Sequence, residues 1–226
     1  DFCEGDGLVV QSITEDPFPL DLVGGQLGEQ YAWSGEGLTI AGEIQSATTA
    51  LRSAEPVFER LDACRDNDAV TVEAWVTPAS PVLGDAPGIV VLGGTAQNDS
   101  WDFGLLQGRR SEWVSEGYSA WIGTEDGQHE LWMDEEVLLR LTHLVLVRSG
   151  TTTTLYIDGE VALEAEHPGS LEEGWSRNNV LALAAHSGWD QRNWNGTLHL
   201  VAIYCEALTL EQVGENLAAG HRPEPR

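Results

Sequence analysis

The chain has 226 residues and carries 37 Asp and Glu side chains against 11 Arg, which gives a formal net charge of −26. Such a surface repels phosphate groups, anionic lipids and polyanionic glycans, which argues against nucleic acid and anionic membranes as partners. The sequence contains no run of about 18 apolar residues, so we expect no insertion into a membrane. A chain of this length is typical of one large β sandwich, and its acidic residues are spread as on a solvated surface.

The first quarter of the chain predicts short strands separated by Gly-rich and Pro-containing loops. Ser53 and Pro56 are typical of a helix start, and Val57, Leu61 and Cys64 share one helical face. These spacings predict a short helix near 55–64. The strand candidates before it are residues 8–13, 37–40 and 48–52.

The clearest strand of the sequence covers residues 70–76, which read Val-Thr-Val-Glu-Ala-Trp-Val. Its apolar residues fall on one face of a strand, whereas Thr71, Glu73 and Trp75 fall on the other. We predict that the chain is organised around this strand.

The second half of the chain predicts a succession of antiparallel strands joined by turns. Asp158 and Gly159 tolerate the positive φ angles of a two-residue hairpin turn. The long apolar segment 196–205 is typical of a strand covered on both faces. The other strand candidates are residues 89–92, 102–107, 118–122, 130–133, 142–148, 152–157, 161–165 and 179–184.

A closing helix is predicted over 209–219. Thr209 and Gln212 form a capping-box pattern, and Leu210, Val213 and Leu217 form an apolar stripe. Residues 220–226 are predicted to be a tail or linker. Many short strands with two short helices predict an all-β fold, a two-sheet antiparallel jelly-roll sandwich with peripheral helices near 55–64 and 209–219.

Three cysteines, Cys3, Cys64 and Cys205, are too few and too scattered for a zinc site or a redox motif. In an extracellular protein they would give one disulfide and one leftover thiol. The alternative is three buried free thiols.

No sequence motif predicts catalysis. Glu125 and Asp126 are adjacent, so on a strand they would point to opposite faces; a loop or hairpin is expected there instead of a catalytic dyad. The chain contains no nucleophile elbow, no zinc-protease motif and no phosphate-binding loop. We therefore expect a protein that is not an enzyme.

Nine tryptophans suggest a surface that binds sugar, because aromatic rings stack on the apolar faces of sugar rings. Trp75, Trp175 and Trp194 are predicted to be structural. The tryptophans that lie in loops or in alternating strands among polar residues are Trp101, Trp113, Trp121, Trp132 and Trp189. We predict that Trp101 and Trp189 stack on a neutral sugar and that polar neighbours bind its hydroxyl groups. The alternative is that a large sandwich exposes some Trp at its rim. The predicted ligand-binding residues are Trp101, Asp102, Trp189, Asp190 and Asn193, and the remaining candidates for exposed rings are Trp113, Trp121 and Trp132.

The chain resembles the LamG-like jellyroll domains of the concanavalin A-like lectin and glucanase superfamily in three segments. These segments are residues 71–78, 155–161 and 195–204, the last followed by Ala207-Leu208-Thr209. The resemblance implies two curved sheets in a single domain over 1–219. It also implies that the central strand lies beside the final one, which predicts a Cys64–Cys205 disulfide and leaves Cys3 over.

Calcium is the one cofactor that the resemblance suggests, since members of this family often bind it. Loops at 66–68 and 98–102 could supply oxygen ligands, although neither has the spacing of a dedicated calcium loop. Leu198-His199 stands where an Ile-Asp pair is common, which argues against the family's calcium site.

The resulting hypothesis is a secreted, non-catalytic carbohydrate-binding module, located outside the cell or at its surface. The alternative is a structural or adhesion module that binds an extracellular protein or assembles with itself, suggested by Cys3 and the Pro-containing tail. A glycan hydrolase or lyase of the same fold is the third hypothesis.

Overall fold

The computed structural model describes residues 9–11, 19–23, 29–41, 50–53, 57–81, 83–84, 86–93, 101–109, 114–184 and 194–221. The strands in chain order are β1 Val9–Gln11, β2 Pro19–Val23, β3 Tyr31–Ser34, β4 Gly37–Ile40, β5 Ala50–Ser53, β6 Ala69–Pro78, β7 Leu83–Gly84, β8 Gly88–Gly93, β9 Trp101–Gln107, β10 Val114–Ser115, β11 Tyr118–Thr124, β12 Gly127–Met133, β13 Thr142–Ser149, β14 Thr152–Ile157, β15 Glu160–Glu166, β16 Val180–Leu183 and β17 Gly196–Tyr204. A 3-10 helix covers Phe58–Leu61, and the α-helices are α1 Asp62–Asp66, α2 Leu171–Gly174 and α3 Leu210–Ala219.

The strands form an antiparallel sandwich of two large sheets, which confirms the predicted fold class. The first sheet has the order β1-β2-β5-β16-β8-β9-β11-β12, and the second sheet has the order β15-β14-β13-β6-β17-β4-β3. Strands β7 and β10 form a small separate pair. One main apolar core contains side chains from both large sheets, as the two-layer architecture requires.

Strand β6 lies at the centre of the second sheet, between β13 and β17, as predicted. Its residues Val70, Val72, Ala74 and Val76 are fully buried in the main core, so the alternation of the sequence identifies the inward face correctly. Burying each Val side chain contributes about 2 kcal/mol to the free energy of folding. The opposite face of β6 carries Glu73.

The Cys64–Cys205 disulfide is present. Cys64 lies in α1, just before β6 begins, and Cys205 directly follows β17. Since β6 and β17 pair antiparallel, with Tyr204 opposite Thr71, the two cysteines meet at the same end of this strand pair. The pairing agrees with the one that the family resemblance implies.

Helix α3 begins with the predicted capping box. The hydroxyl of Thr209 accepts a hydrogen bond from the backbone N–H of Gln212, whose side-chain oxygen accepts one from the N–H of Thr209. Val213 packs in an apolar cluster on the outer face of the second sheet. Leu210, however, is 55 % exposed, so the predicted apolar stripe is wrong at that position.

Two further local predictions have different outcomes. The helix predicted near 55–64 is split into the 3-10 turn and α1, and α2 was not predicted. Asp158 and Gly159 form the predicted hairpin turn, with φ angles of 50° and 80°. Among the described residues, no helix is long and apolar enough to span a membrane.

Candidate functional site

The structure changes the role of Trp101, which is 2 % exposed. It lies in an apolar cluster with Val91 and Leu106, separate from the main core, and its ring meets the ring of Trp121 edge-on at 5.5 Å. Trp101 is therefore a core residue and not a stacking platform for sugar. Trp189, Asp190 and Asn193 lie outside the described residues, so their predicted role stays a prediction.

Asp102 is fully buried as well, and a β-bulge explains why. On β8, Leu92 pairs with Phe103 and the next residue, Gly93, pairs with Trp101, so Asp102 is the extra residue of β9. Its Oδ1 accepts a hydrogen bond of 3.0 Å from the backbone N–H of Ser176. Asp102 therefore fixes the loop after α2, and the prediction that it binds a sugar is wrong for this arrangement.

The three tryptophans that were predicted to be structural are buried, as expected. Trp175 and Trp194 belong to the main core, and Trp75 is buried on the outer face of the second sheet. Glu125 and Asp126 occupy the turn between β11 and β12, so they form a hairpin as expected.

Two tryptophans that remain half-buried, Trp121 and Trp132, lie on the outer face of the first sheet. Their neighbours Ala120, Ile122 and Leu131 point into the main core, so strand alternation directs both indoles away from it. Trp121 on β11 lies opposite Glu130 on β12.

We call Arg109, Trp121, Glu130 and Trp132 the tryptophan patch. The guanidinium carbon of Arg109 lies 4.4 Å from the ring centroid of Trp132, a cation–π contact. Arg109 Nε lies 4.0 Å from Glu130 Oε2, and the two side chains are 37 % and 18 % exposed. The patch combines aromatic surface, a hydrogen-bond donor and an acceptor, with no net formal charge.

The sequence alone does not single out this patch. Trp121 and Trp132 lie in loops or alternating strands among polar residues, and the residues predicted to stack on sugar are Trp101 and Trp189 instead. The alternation of apolar and other residues along β11 could have predicted that Trp121 points away from the core, because Trp121 lies between the inward-facing Ala120 and Ile122.

A second polar cluster is centred on Glu73, on the outer face of the second sheet. Its carboxylate accepts hydrogen bonds from Trp75 Nε1, Tyr204 OH and Asn216 Nδ2, and it lies 2.9 Å from His143 Nε2. Burial raises the pKa of Glu73, but the hydrogen bond and charge of His143, with hydrogen bonds from Tyr204 and Trp75, hold it below its ordinary value. Because Asn216 belongs to α3, this buried cluster anchors the helix to the sheet.

The acidic loop at 66–68 has structural partners. Asp68 accepts a hydrogen bond from the N–H of Leu171, and Asn67 donates one to the carbonyl of Cys205. His199 contacts the Glu36 carbonyl and the Thr77 hydroxyl through its two ring nitrogens. Within the described ranges, no group of three or more His, Cys, Asp or Glu side chains could hold a metal ion. A calcium site therefore stays a prediction.

Comparisons with known proteins agree with this architecture. Trypanosoma rangeli sialidase in complex with 2,3-difluoro-KDN has a TM-score of 0.65 and 14% identity; the match covers 94% of this chain and 31% of that chain. The Ruminococcus gnavus IT-sialidase CBM40 bound to α2,3-sialyllactose has a TM-score of 0.57 and 14% identity, covering 81% of this chain and 96% of that chain. These likenesses establish the fold alone.

This chain thus spans less than a third of the length of the sialidase. No curated protein matches the sequence. Residues 56–214 match the family model described as the concanavalin A-like lectin/glucanases superfamily, which covers well over half of the chain. The chain therefore belongs to the concanavalin A-like lectin/glucanases superfamily, as its sequence resemblance implied.

Proposed function

We propose that this protein is a secreted, non-catalytic carbohydrate-binding module and that the tryptophan patch binds the sugar. The observation that carries the proposal is the position of Trp121 and Trp132, two half-buried indoles on one outer sheet face beside a charged donor and acceptor. A similar fold in the Ruminococcus gnavus CBM40, bound to α2,3-sialyllactose, supports a glycan as the class of ligand.

The patch offers the two kinds of contact that a sugar requires. An indole presents a flat apolar surface to the C–H groups of a sugar ring, and charged groups at its edge bind the hydroxyls. Trp121 is braced by the buried ring of Trp101, and Arg109 stacks on Trp132. Side chains held in place before binding lose little conformational entropy when the ligand arrives.

The same geometry supports a role without catalysis. Glycosidases place two carboxyl groups about 5 to 9.5 Å apart around the scissile bond. Glu130 is the one carboxylate of the patch, and the adjacent Glu125 and Asp126 lie in a turn. The Cys64–Cys205 disulfide supports secretion, since disulfides persist in oxidising compartments.

Glycan-array binding, followed by calorimetric titration of the strongest glycan, tests the proposal. We expect Trp121→Ala to weaken binding about 30-fold, because truncating a central aromatic contact costs roughly 2 kcal/mol. Trp33→Ala is the matched control, since Trp33 is also half-buried but lies on β3 of the second sheet. An array with no bound glycan, or equal affinities for Trp121→Ala and wild type, would overturn the proposal.

A further inference from the structure

We propose that acid weakens sugar binding at the tryptophan patch, because protonation of His167 loosens the hairpin of β11 and β12 that carries the patch. This inference rests on the proposed function, since it adds a form of regulation to the same site. Trp121 lies on β11, and Glu130 and Trp132 lie on β12. The positions of these three side chains therefore depend on how firmly the hairpin is held.

The hairpin is held on one side by the second sheet. Strand β12 is the outermost strand of the first sheet, and it contacts β15 of the second sheet. At the turn of the hairpin, the Thr124 hydroxyl donates a hydrogen bond of 2.9 Å to the carbonyl of Pro168. The N–H of Glu125 donates one of 3.2 Å to the carbonyl of Ser170. The turn is therefore docked on the segment that follows β15.

Two histidines stack where the edges of the two sheets meet. The rings of His129, on β12, and His167, directly after β15, have centroids 4.6 Å apart and planes inclined by 11°. His129 lies opposite Ile122, whose side chain points into the main core, so His129 also points inward. His129 Nε2 lies 3.1 Å from the Thr124 hydroxyl of the first sheet, and His167 Nδ1 lies 3.2 Å from a hydroxyl of the second sheet, that of Thr153. We call these two histidines and two threonines the histidine junction.

The hydrogen bonds of the junction fit a neutral His167. Arg148 Nη1 donates a hydrogen bond of 3.1 Å to the hydroxyl oxygen of Thr153, and a guanidinium can only donate. The single proton of that hydroxyl is then available to His167 Nδ1, which accepts it. A proton bound at Nδ1 removes this acceptor and turns the ring nitrogen into a second donor toward Thr153. Protonation therefore breaks a hydrogen bond that holds the ring.

The charges around His167 act in the same direction. Arg148 is fully buried, so a second positive charge beside it is repelled more strongly than in water. Burial and the charges of His129 and Arg148 lower the pKa of His167 to about 4, although the charge of Glu166 opposes this shift. The junction therefore resists the proton as long as it stays closed.

The carboxylates near the junction have other partners. Glu166 accepts hydrogen bonds from the hydroxyls of Thr151 and Thr152, and Asp68 accepts one from the N–H of Leu171. The charges of Asp68 and Glu166 also act on Arg148. Solvent screens the remaining acidic side chains of the elements packed around the junction, because they are exposed. These are Glu125, Asp126, Glu164, Glu172 and Glu173.

The effect of pH on the junction follows from the two states of His167. Its pKa is about 4 in the closed junction, and in an opened junction it would have the ordinary value of 6.5. The opened form binds the proton more readily, so lowering the pH from 7 to 5 raises the ratio of opened to closed junction roughly 20-fold. Asp102 also gains a proton in this range, because burial raises its pKa to about 7, but that proton stabilises the folded protein. Asp102 therefore does not cause the loosening.

Loosening reaches the patch through β12 itself. Glu130 follows His129 directly in the chain and points to the opposite face of the strand. A movement of β12 away from the second sheet therefore shifts Glu130 and Trp132 relative to Trp121. Binding then requires the hairpin to be ordered again, so the affinity for sugar falls with the fraction of closed junction.

Hydrogen exchange measured by mass spectrometry tests the opening directly. For the wild-type chain, we expect the protection factors of the amides in residues 127–133 to fall roughly 20-fold from pH 7 to pH 5, after correction for the intrinsic pH dependence of exchange. The amides of β6, in the centre of the second sheet, should keep their protection. Calorimetric titration with the strongest glycan of the array should show severalfold weaker binding at pH 5 than at pH 7.

His167→Gln removes the titration and keeps a side-chain acceptor for the Thr153 hydroxyl. We expect its protection factors in residues 127–133 and its glycan affinity to change by about threefold at most between pH 7 and pH 5. His167→Asn offers the same acceptor on a shorter side chain and repeats the test if the first variant does not fold. His221→Gln is the matched control, because His221 is also half-buried but packs against Trp75 on the outer face of the second sheet. This control should retain the full pH dependence of the wild-type protein.

The outcomes separate this inference from the proposed function. Absence of glycan binding at pH 7 overturns the proposed function, and the regulation of binding falls with it. If a glycan binds at pH 7 but the protection of residues 127–133 does not fall in acid, or falls equally in His167→Gln, carbohydrate binding stands and the histidine junction is not a switch. A loss of protection without a loss of affinity likewise overturns the coupling between the junction and the patch.

Discussion

Replacing Asp102 with Asn should stabilise the protein above neutral pH, even though it removes a buried carboxylate. Asp102 Oδ1 accepts one backbone hydrogen bond, from Ser176, and Oδ2 has no partner among the described residues. Burial raises the pKa of Asp102 from its ordinary 3.8 to about 7, although hydrogen bonds with Ser176 and Asn179 and the charge of Arg65 oppose this shift. The folded protein therefore disfavours the ionised form of this side chain.

The pH dependence follows from the raised pKa. Between pH 3.8 and about 7 the folded chain holds this proton and the unfolded chain does not, so the contribution of Asp102 to stability falls as the pH rises through that window. With about 1.4 kcal/mol for each pKa unit, ionised Asp102 costs on the order of 4 kcal/mol at pH 8. A neutral Asn avoids this cost but brings an amide NH₂ that needs acceptors, which costs about 1–3 kcal/mol if they are missing.

Urea unfolding of wild type and Asp102→Asn at pH 5 and pH 8 measures the effect. We expect a gain of about 2 kcal/mol for the variant at pH 8 and little gain, or a loss, at pH 5, where Asp102 is mostly protonated. Asp134→Asn, at an exposed position, controls for net charge. A variant that is destabilised equally at both pH values would refute the reasoning, because it would mean that the ionised carboxylate is well solvated or paired.

Two further side chains give predictions with measurable outcomes. Glu73→Gln should lower the free energy of unfolding by about 2 kcal/mol at pH 7, because it weakens charge-assisted hydrogen bonds to His143, Tyr204 and Asn216. In urea unfolding, the stability difference between wild type and variant should shrink in acid, as Glu73 becomes protonated. A stability difference that does not change with pH would contradict this account. Burial and the charges of His129 and Arg148 lower the pKa of His167 from 6.5 to about 4, although the charge of Glu166 opposes this shift. The contribution of His167 to the stability of the fold is therefore complete above pH 6.5 and is lost as the pH falls through 4. His167→Phe keeps an aromatic ring stacked on His129 but removes the titration, so its melting temperature should fall less than that of wild type between pH 6.5 and 4, and equal falls would rule out His167 as the cause.

Much of the fold could be predicted because its signals are local. The alternation from Val70 to Val76 identifies the buried face of β6 without knowledge of any partner strand. Thr209 and Gln212 likewise determine the start of α3 through contacts within a single turn. In contrast, α2 has four residues, too few for helical periodicity to be visible.

The candidate site depended on information that a single strand does not contain. Because Asp102 is an extra residue in β9, Trp101 does not share the face of Phe103 as simple alternation would require, and it lies in a separate apolar cluster. The sequence of β9 alone cannot reveal this bulge, because a bulge is defined by the register with the neighbouring strand β8. The association of Trp121 with Glu130 similarly depends on the pairing of β11 with β12.

The Cys64–Cys205 bond also determines how the domain would respond to a pulling force on its two ends. The bond joins residues 141 positions apart, and the segment between them contains β6, most of both sheets and all of β17. Tension applied at the ends passes through the sulfur atoms and bypasses that segment. Only the chain outside the bond can lengthen, and reduction would release roughly 480 Å of additional extended chain. In an oxidising environment the tryptophan patch, which lies inside the closed segment, would keep its geometry under load.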